Sequence, residues 1–234
     1  MQLASPPRRA RNGRDATVNA TDHAYAELKR RINSNELPAG QSFLQDELAA
    51  MLQMSRTPVR EALIRLAGEG LVEFRPRHGI LIRCFSIDEL AGIYEVLTML
   101  EAQAARRLAE RGISPDGLAR LEAAHQTMEK AFANRALSDW IAADEAFHKI
   151  LVSECGNEPL RKIVHGLWDR MRRVRHVTRP LRTLSAASNG DHAAIISAIK
   201  SRDGQKAFDE HVQHRTRSAT AMLTLMSRNN LLDV

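Results

Sequence analysis

The chain has 234 residues, 44% of them hydrophobic and 26% charged, and a net charge of +6. That length leaves room for two domains with separate cores, and no run of eighteen apolar residues offers a membrane span. Cys84 and Cys155 are too few for a disulfide framework, and the Arg-rich first twenty residues are not followed by the apolar segment of a secretory signal, so a reducing cytoplasm is the expected compartment. Four of the six excess positive charges fall within residues 1–85, which is where a face for nucleic acid is expected.

Residues 1–20, with Arg8, Arg9, Arg11 and Arg14, read as a disordered basic tail, either touching phosphate non-specifically or simply solvated. An amphipathic segment follows from Tyr25 to Ile32, then a turn at Leu37-Pro38-Ala39-Gly40, then a short helix from Leu44 to Leu52 with Leu44, Leu48 and Leu52 on one face. The stretch Ser55-Arg56-Thr57-Pro58-Val59-Arg60 opens a third helix. Ser55 suits its cap and Pro58 its first turn, where a missing N–H costs nothing. Val59, Ala62, Leu63 and Leu66 make its apolar face, leaving Arg56, Thr57 and Arg60 at the N-terminus and on the other side. A helix N-terminus favours phosphate, and Arg is the side chain best shaped to read guanine in a major groove. After Gly68-Glu69-Gly70, two short strands, Leu71–Arg75 and Ile80–Arg83, flank a turn at Pro76-Arg77-His78-Gly79. Three helices and a β-hairpin wing over residues 21–84 define a winged helix-turn-helix.

From residue 85 to 230 the pattern is helical. Ser86-Ile87-Asp88-Glu89 is a capping box that opens a helix to about Arg111, stopped by Gly112. Further helices are expected from Ser114-Pro115 to near Asn134, from a Ser138 cap to Glu154, from Pro159 to about Thr178, from Leu184 to Ser201 and from an Asp203 cap to about Arg228. The fold class is mainly α: a winged helix-turn-helix followed by a six-helix antiparallel bundle.

One constellation stands out in the bundle. Asp144 and His148 are four apart on the third bundle helix and leave the same face, while His192 and His214 lie on the fifth and sixth. A carboxylate with three imidazoles suits zinc, nickel or a similar divalent ion, and such sites are built between facing helices. A histidine on an apolar helix face also serves as a satisfied core residue, so spacing alone leaves both readings open.

Leu37-Pro38-Ala39-Gly40, Leu48-Ala49, the run from Ser55 to Leu63, Leu66, Glu69-Gly70-Leu71-Val72 and Arg77-His78-Gly79 together resemble the GntR family of bacterial transcription regulators. By that resemblance Arg56 and Arg60 are the main base and phosphate contacts, Ser55 and Thr57 lie on phosphates, and His78-Gly79 carries the wing tip to the minor groove of a pseudo-palindromic operator read by a homodimer. Asp46 departs from the pattern, since some members carry a DNA-contacting Arg near it. Asp144-Glu145-Ala146-Phe147-His148, Gly156-Asn157, Asp191-His192 and His214 are similar to the effector domain of FadR-type members. In many of those the corresponding Asp and three His bind a metal, and the effector is a small organic acid. The resemblance favours His214 over the neighbouring His211, which is left to a supporting place or to solvent. Leu97 stands where many members have an Arg, so another group must meet an effector carboxylate; Arg172 and Arg175 are the candidates.

Two other readings share these features. The metal itself could be the signal, or the bundle could be a metallohydrolase. A hydrolase needs a general base beside its bound water. Glu145 adjoins Asp144 but points about a hundred degrees round the helix, and no phosphate loop or nucleophile elbow is present. The expectation is a repressor, not an enzyme.

Overall fold

The computed structural model describes residues 13–229, with side chains from Ala20 onward, and divides into one unit ending at Cys84 and a second beginning at Phe85. Residues 1–12 of the expected tail lie outside the described residues. Residues 13–20 are helical, because the first helix, α1, spans Gly13–Asn33 and is longer than the apolar periodicity of its buried Ala24, Leu28 and Ile32 indicates.

In the first unit, α2 (Gln45–Leu52) and α3 (Arg56–Gly68) follow a two-residue strand, β1 (Ser42–Phe43), and lead to β2 (Val72–Arg75) and β3 (Gly79–Ile82). The sheet order is β1-β3-β2, all antiparallel, so the expected two-stranded wing gains a third strand: Ser42 pairs with Leu81 and Phe43 with Ile80. β1 comes so close to the wing that a Cβ on Gly79 would meet the Phe43 carbonyl oxygen at 2.4 Å, and Gly79 also has a φ of 78°. Glycine is needed there on both counts. Leu28, Ile32, Leu48, Val59, Leu63, Leu66, Ile80 and Ile82 form the core. Two details differ from expectation. Leu44 precedes α2 and is 56% exposed, its N–H donating to the Glu47 carboxylate at 2.7 Å. Ser55 does occupy the N-cap of α3, but its hydroxyl makes no capping bond, so it stays exposed at the helix mouth.

The second unit is six helices: α4 (Ile87–Arg111), α5 (Pro115–Ala133), α6 (Leu137–Glu154), α7 (Glu158–Thr178), α8 (Ala186–Lys200) and α9 (Gly204–Arg228). Four of the starts are capped as their polar residues suggest: Ser86, Ser114, Asn157 and Asp203 each accept a backbone N–H three residues on. α6 differs, since Ala136 holds the cap position and Ser138 lies inside the first turn. α8 begins two residues later than expected, capped by Ser185. α4 packs along α9, α5 along α6, and α8 against α9 and α4. The core they share includes Leu90, Leu97, Leu108, Leu121, Phe147, Leu151 and Val164. Between α7 and α8 the chain makes one 3-10 turn (Arg179–Leu181) and an extended stretch, which sets Arg182 beside α6. Among the described residues no helix is long and apolar enough to cross a membrane.

Candidate DNA-reading face and metal centre

Val59, Ala62, Leu63 and Leu66 anchor α3 in the first unit's core, which turns Ser55, Arg56, Thr57 and Arg60 outward, all exposed. Arg56, Thr57 and Arg60 share a surface hollow with Gln45, Asp46 and Ile64. Asp46 accepts a hydrogen bond from the Arg56 guanidinium at 2.7 Å, and Gln45 donates to the Arg56 carbonyl, so α2 holds the first turn of α3 from behind. Arg60 makes no ion pair among the described residues. His78 is exposed at the wing tip, next to Arg77 in the left-handed region and half-buried Gly79.

In the second unit the four expected ligands converge. The Asp144, His148, His192 and His214 donor atoms all lie within 4.8 Å of one another. His148 Nε2 is 3.2 Å from His214 Nε2 and 3.8 Å from Asp144 Oδ1, and His192 Nε2 is 3.5 Å from the same oxygen. The opposite nitrogens face acceptors. His192 Nδ1 meets the Ser188 carbonyl at 2.7 Å, His214 Nδ1 is 3.3 Å from Asp191 Oδ2, and His148 Nδ1 is 3.0 Å from Glu101 Oε2. His192 and His214 are therefore set to carry their protons on Nδ1 and to point an Nε2 lone pair inward, while His148 Nδ1 lies close to Glu101 without hydrogen-bond geometry. His192 Nε2 is buried with no hydrogen-bond partner, and two lone pairs 3.2 Å apart repel unless positive charge lies between them. This donor set and its outer partners fit a divalent ion.

The electrostatics agree. Burial pushes His148 well below the usual imidazole range, and burial with the neighbouring His214 brings His192 down to about 4, so both rings are neutral near pH 7. Burial alone would raise Asp144, but His148, His192, His214 and Arg182 outweigh it and keep the carboxyl below its ordinary value. Asp191 is held at about 2 against burial by hydrogen bonds from His214 and Arg217. His211 is fully buried and lies on the far side of His148, 3.7 Å from Glu101, with both ring nitrogens unpartnered.

A cavity of about 60 Å³ opens beside the ligands, lined by Asp144, His148 and His214 and by Arg175, Arg182 and Arg215. Arg172 is outside it: it is exposed and pairs with Asp169 at 2.7 Å. Leu97 lines the cavity too. Sequence reasoning missed Glu101, Arg182 and Arg215. Glu101 had a signal, because it falls four residues after Leu97 on the apolar stripe of α4, where a charge requires a partner. Arg215 had a weaker one, four residues after buried His211. Arg182 sits in a loop and had none.

An exposed basic helix in a winged helix-turn-helix, joined in sequence to a helical unit with an interior ligand cluster, defines a DNA-binding regulator with a sensing domain. Residues 20–82 match the model for bacterial regulatory proteins of the gntR family, and residues 92–217 match the FCD domain. The chain belongs to the GntR family of transcriptional regulators, not enzymes, with a FadR-type, effector-binding FCD domain. It is 40% identical over 132 residues to an HTH-type transcriptional regulator from the TAR-I ttuE-ttuC' intergenic region of Agrobacterium vitis, a match covering 56% of this chain and 77% of the relative. It is 28% identical to the transcriptional repressor RspR of Escherichia coli, over 83% of this chain and 86% of RspR. Among solved structures, E. coli McbR/YncC shares the fold with a TM-score of 0.67 at 21% identity, over 87% of this chain and 96% of that one.

Proposed function

We propose that the protein is a homodimeric repressor that leaves its operator when a small organic acid binds beside a metal ion in the FCD domain. The observation that carries this reading is the inward convergence of three Nε2 atoms on Asp144, each with its Nδ1 against an acceptor. Asp144, His148, His192 and His214 would hold a divalent ion, zinc or nickel by ligand type, which supplies positive charge and open positions for a carboxylate. The ligands come from three helices, α6, α8 and α9, so an acid held at their centre ties those helices together. On the DNA side, Arg56 and Arg60 read base edges and phosphate in the major groove, Ser55 and Thr57 contact phosphate at the α3 N-terminus, and His78 and Gly79 place the wing. Val96 and Met99 on α4 and Ile163 on the adjacent α7 are apolar yet 47%, 46% and 52% exposed, a surface suited to a second copy. A dimer presents two copies of α3 to a pseudo-palindrome.

The test is metal content and operator binding on one preparation. His148→Ala and His192→Ala should each lower bound metal per chain and the melting temperature, because metal binding is coupled to folding. Arg56→Ala should leave the fold intact and cost roughly 1–3 kcal/mol of operator affinity per half-site. Full metal occupancy in both His variants would refute the four-ligand site, and wild-type operator affinity in Arg56→Ala would refute the reading helix.

A further inference from the structure

The guanidiniums around the ligand cavity are arranged unlike those of an ordinary core. Arg175, Arg182 and Arg215 come from α7, the loop after it and α9, and all three reach the same space as Asp144, His148 and His214. Each lies near an aromatic ring, Arg175 at 5.9 Å from the centre of Trp168, Arg182 at 5.9 Å from Trp140 and Arg215 at 5.8 Å from Tyr94. The rings orient the cations without neutralising them.

Carboxylates on hand do not balance these charges. Arg215, 9% exposed, has one amino group 3.4 Å from Glu101, and its Nε is buried with no partner. Arg182 reaches Asp144 only at 3.9 Å, and Asp144 is already committed to three histidines. Arg175 forms no ion pair within 4 Å among the described residues. Arg175 and Arg215 line the same cavity, and burial with the like charge of Arg215 lowers the pKa of Arg175 from the usual guanidinium value. The acids facing Arg175 at longer range are Glu145, on the cavity wall, and Glu101 behind it. With Arg215 matched by Glu101 and one further cation offset by Glu145, a surplus of one guanidinium remains. The metal site, a divalent ion with a single carboxylate ligand, adds a second uncompensated positive charge.

We propose that the cavity takes a dianion, a small dicarboxylate with one carboxylate beside Asp144, His148 and His214 and the other on Arg175 and Arg215. This rests on the metal-site reading and narrows it: a monocarboxylate would leave the inner guanidiniums facing Leu97 and Met171 without a counter-charge. Arg182 belongs to the metal end. Arg182, Asp144, Ser218 and Met222 also line a larger neighbouring pocket of about 230 Å³.

Isothermal titration of the zinc-loaded full chain with matched acids tests this. Malate and 2-hydroxybutyrate have the same carbon count and differ by a carboxylate in place of a methyl; 2-hydroxyglutarate and 2-hydroxyvalerate form a longer pair. In at least one pair the diacid should bind roughly tenfold or more tighter, the range of a charge-assisted pair in a shielded site. Arg175→Gln and, as a second variant at the same end, Arg215→Gln should each shrink that ratio several-fold, whereas Arg182→Gln, at the metal end, should weaken diacid and monoacid alike. Equal or tighter binding of the monoacid in both pairs would overturn the proposal, as would no binding of any of the four by protein that retains zinc. Protein that fails to retain zinc marks a failure of the metal reading instead.

Discussion

Glu101 is fully buried and shares its carboxylate among several partners. It accepts from Trp168 Nε1 at 3.0 Å, lies 3.4 Å from the Arg215 guanidinium and faces His148 Nδ1 at 3.0 Å. A carboxylate behind a coordinating imidazole fixes its orientation and raises its basicity, and losing such a partner costs roughly 10–100-fold in metal affinity. Glu101→Gln keeps the shape and the acceptor for Trp168 but removes the charge. It should therefore weaken zinc binding by about that range in a competition against a chromophoric chelator, without removing the site. Unchanged zinc affinity would show that the carboxylate does not act through His148. At this scale much was legible beforehand. Asp144 and His148 share a face by arithmetic, and the remaining histidines are rare residues on apolar stripes. What escaped was the outer layer, since Arg182 reaches the cluster through a loop and no periodicity reports where a loop returns.

Helices declared themselves more clearly than their ends. Leu90, Ile93, Leu97 and Leu108 recur at helical spacing along α4, and burying each contributes about 1.5–3 kcal/mol, so the element follows from its stripe. Strand β1 did not declare itself: two residues carry no alternation, and Ser42–Phe43 pairs only because the wing folds back on it. The start of α6 slipped by two residues because packing of Leu137 and Ile141 against Trp140 and Met128 outweighs the capping preference of Ser138. The exposed Val96 and Met99 on α4 and Ile163 on α7 give a prediction at this scale. In a self-complementary interface each added charge appears twice, facing apolar surface or its own copy. Met99→Glu combined with Ile163→Glu should reduce the mass in solution to that of a single 26.2 kDa chain by sedimentation, with helical content retained. It should also weaken operator binding, since one half-site is then read at a time. A dimeric double variant would move the interface elsewhere.

Across the whole molecule, regulation requires that the acid and the operator prefer different states. A ligand shifts such an equilibrium only through its difference in affinity for the two states. Asp144 and His148 on α6, His192 on α8 and His214 on α9 would be tied together by a bound metal and acid, while α4, packed on α9, continues in sequence from the wing through Cys84-Phe85. If the acid weakens operator binding by a given factor, the operator must weaken acid binding by the same factor; typical couplings are about 5–150-fold. The measurement is a titration of malate into zinc-loaded and zinc-free protein, each with and without saturating operator. Acid affinity should fall when operator is present and should be lost when zinc is removed. Equal affinity with and without operator would show that the two sites are uncoupled, and equal affinity with and without zinc would show that the acid is held by the arginines alone.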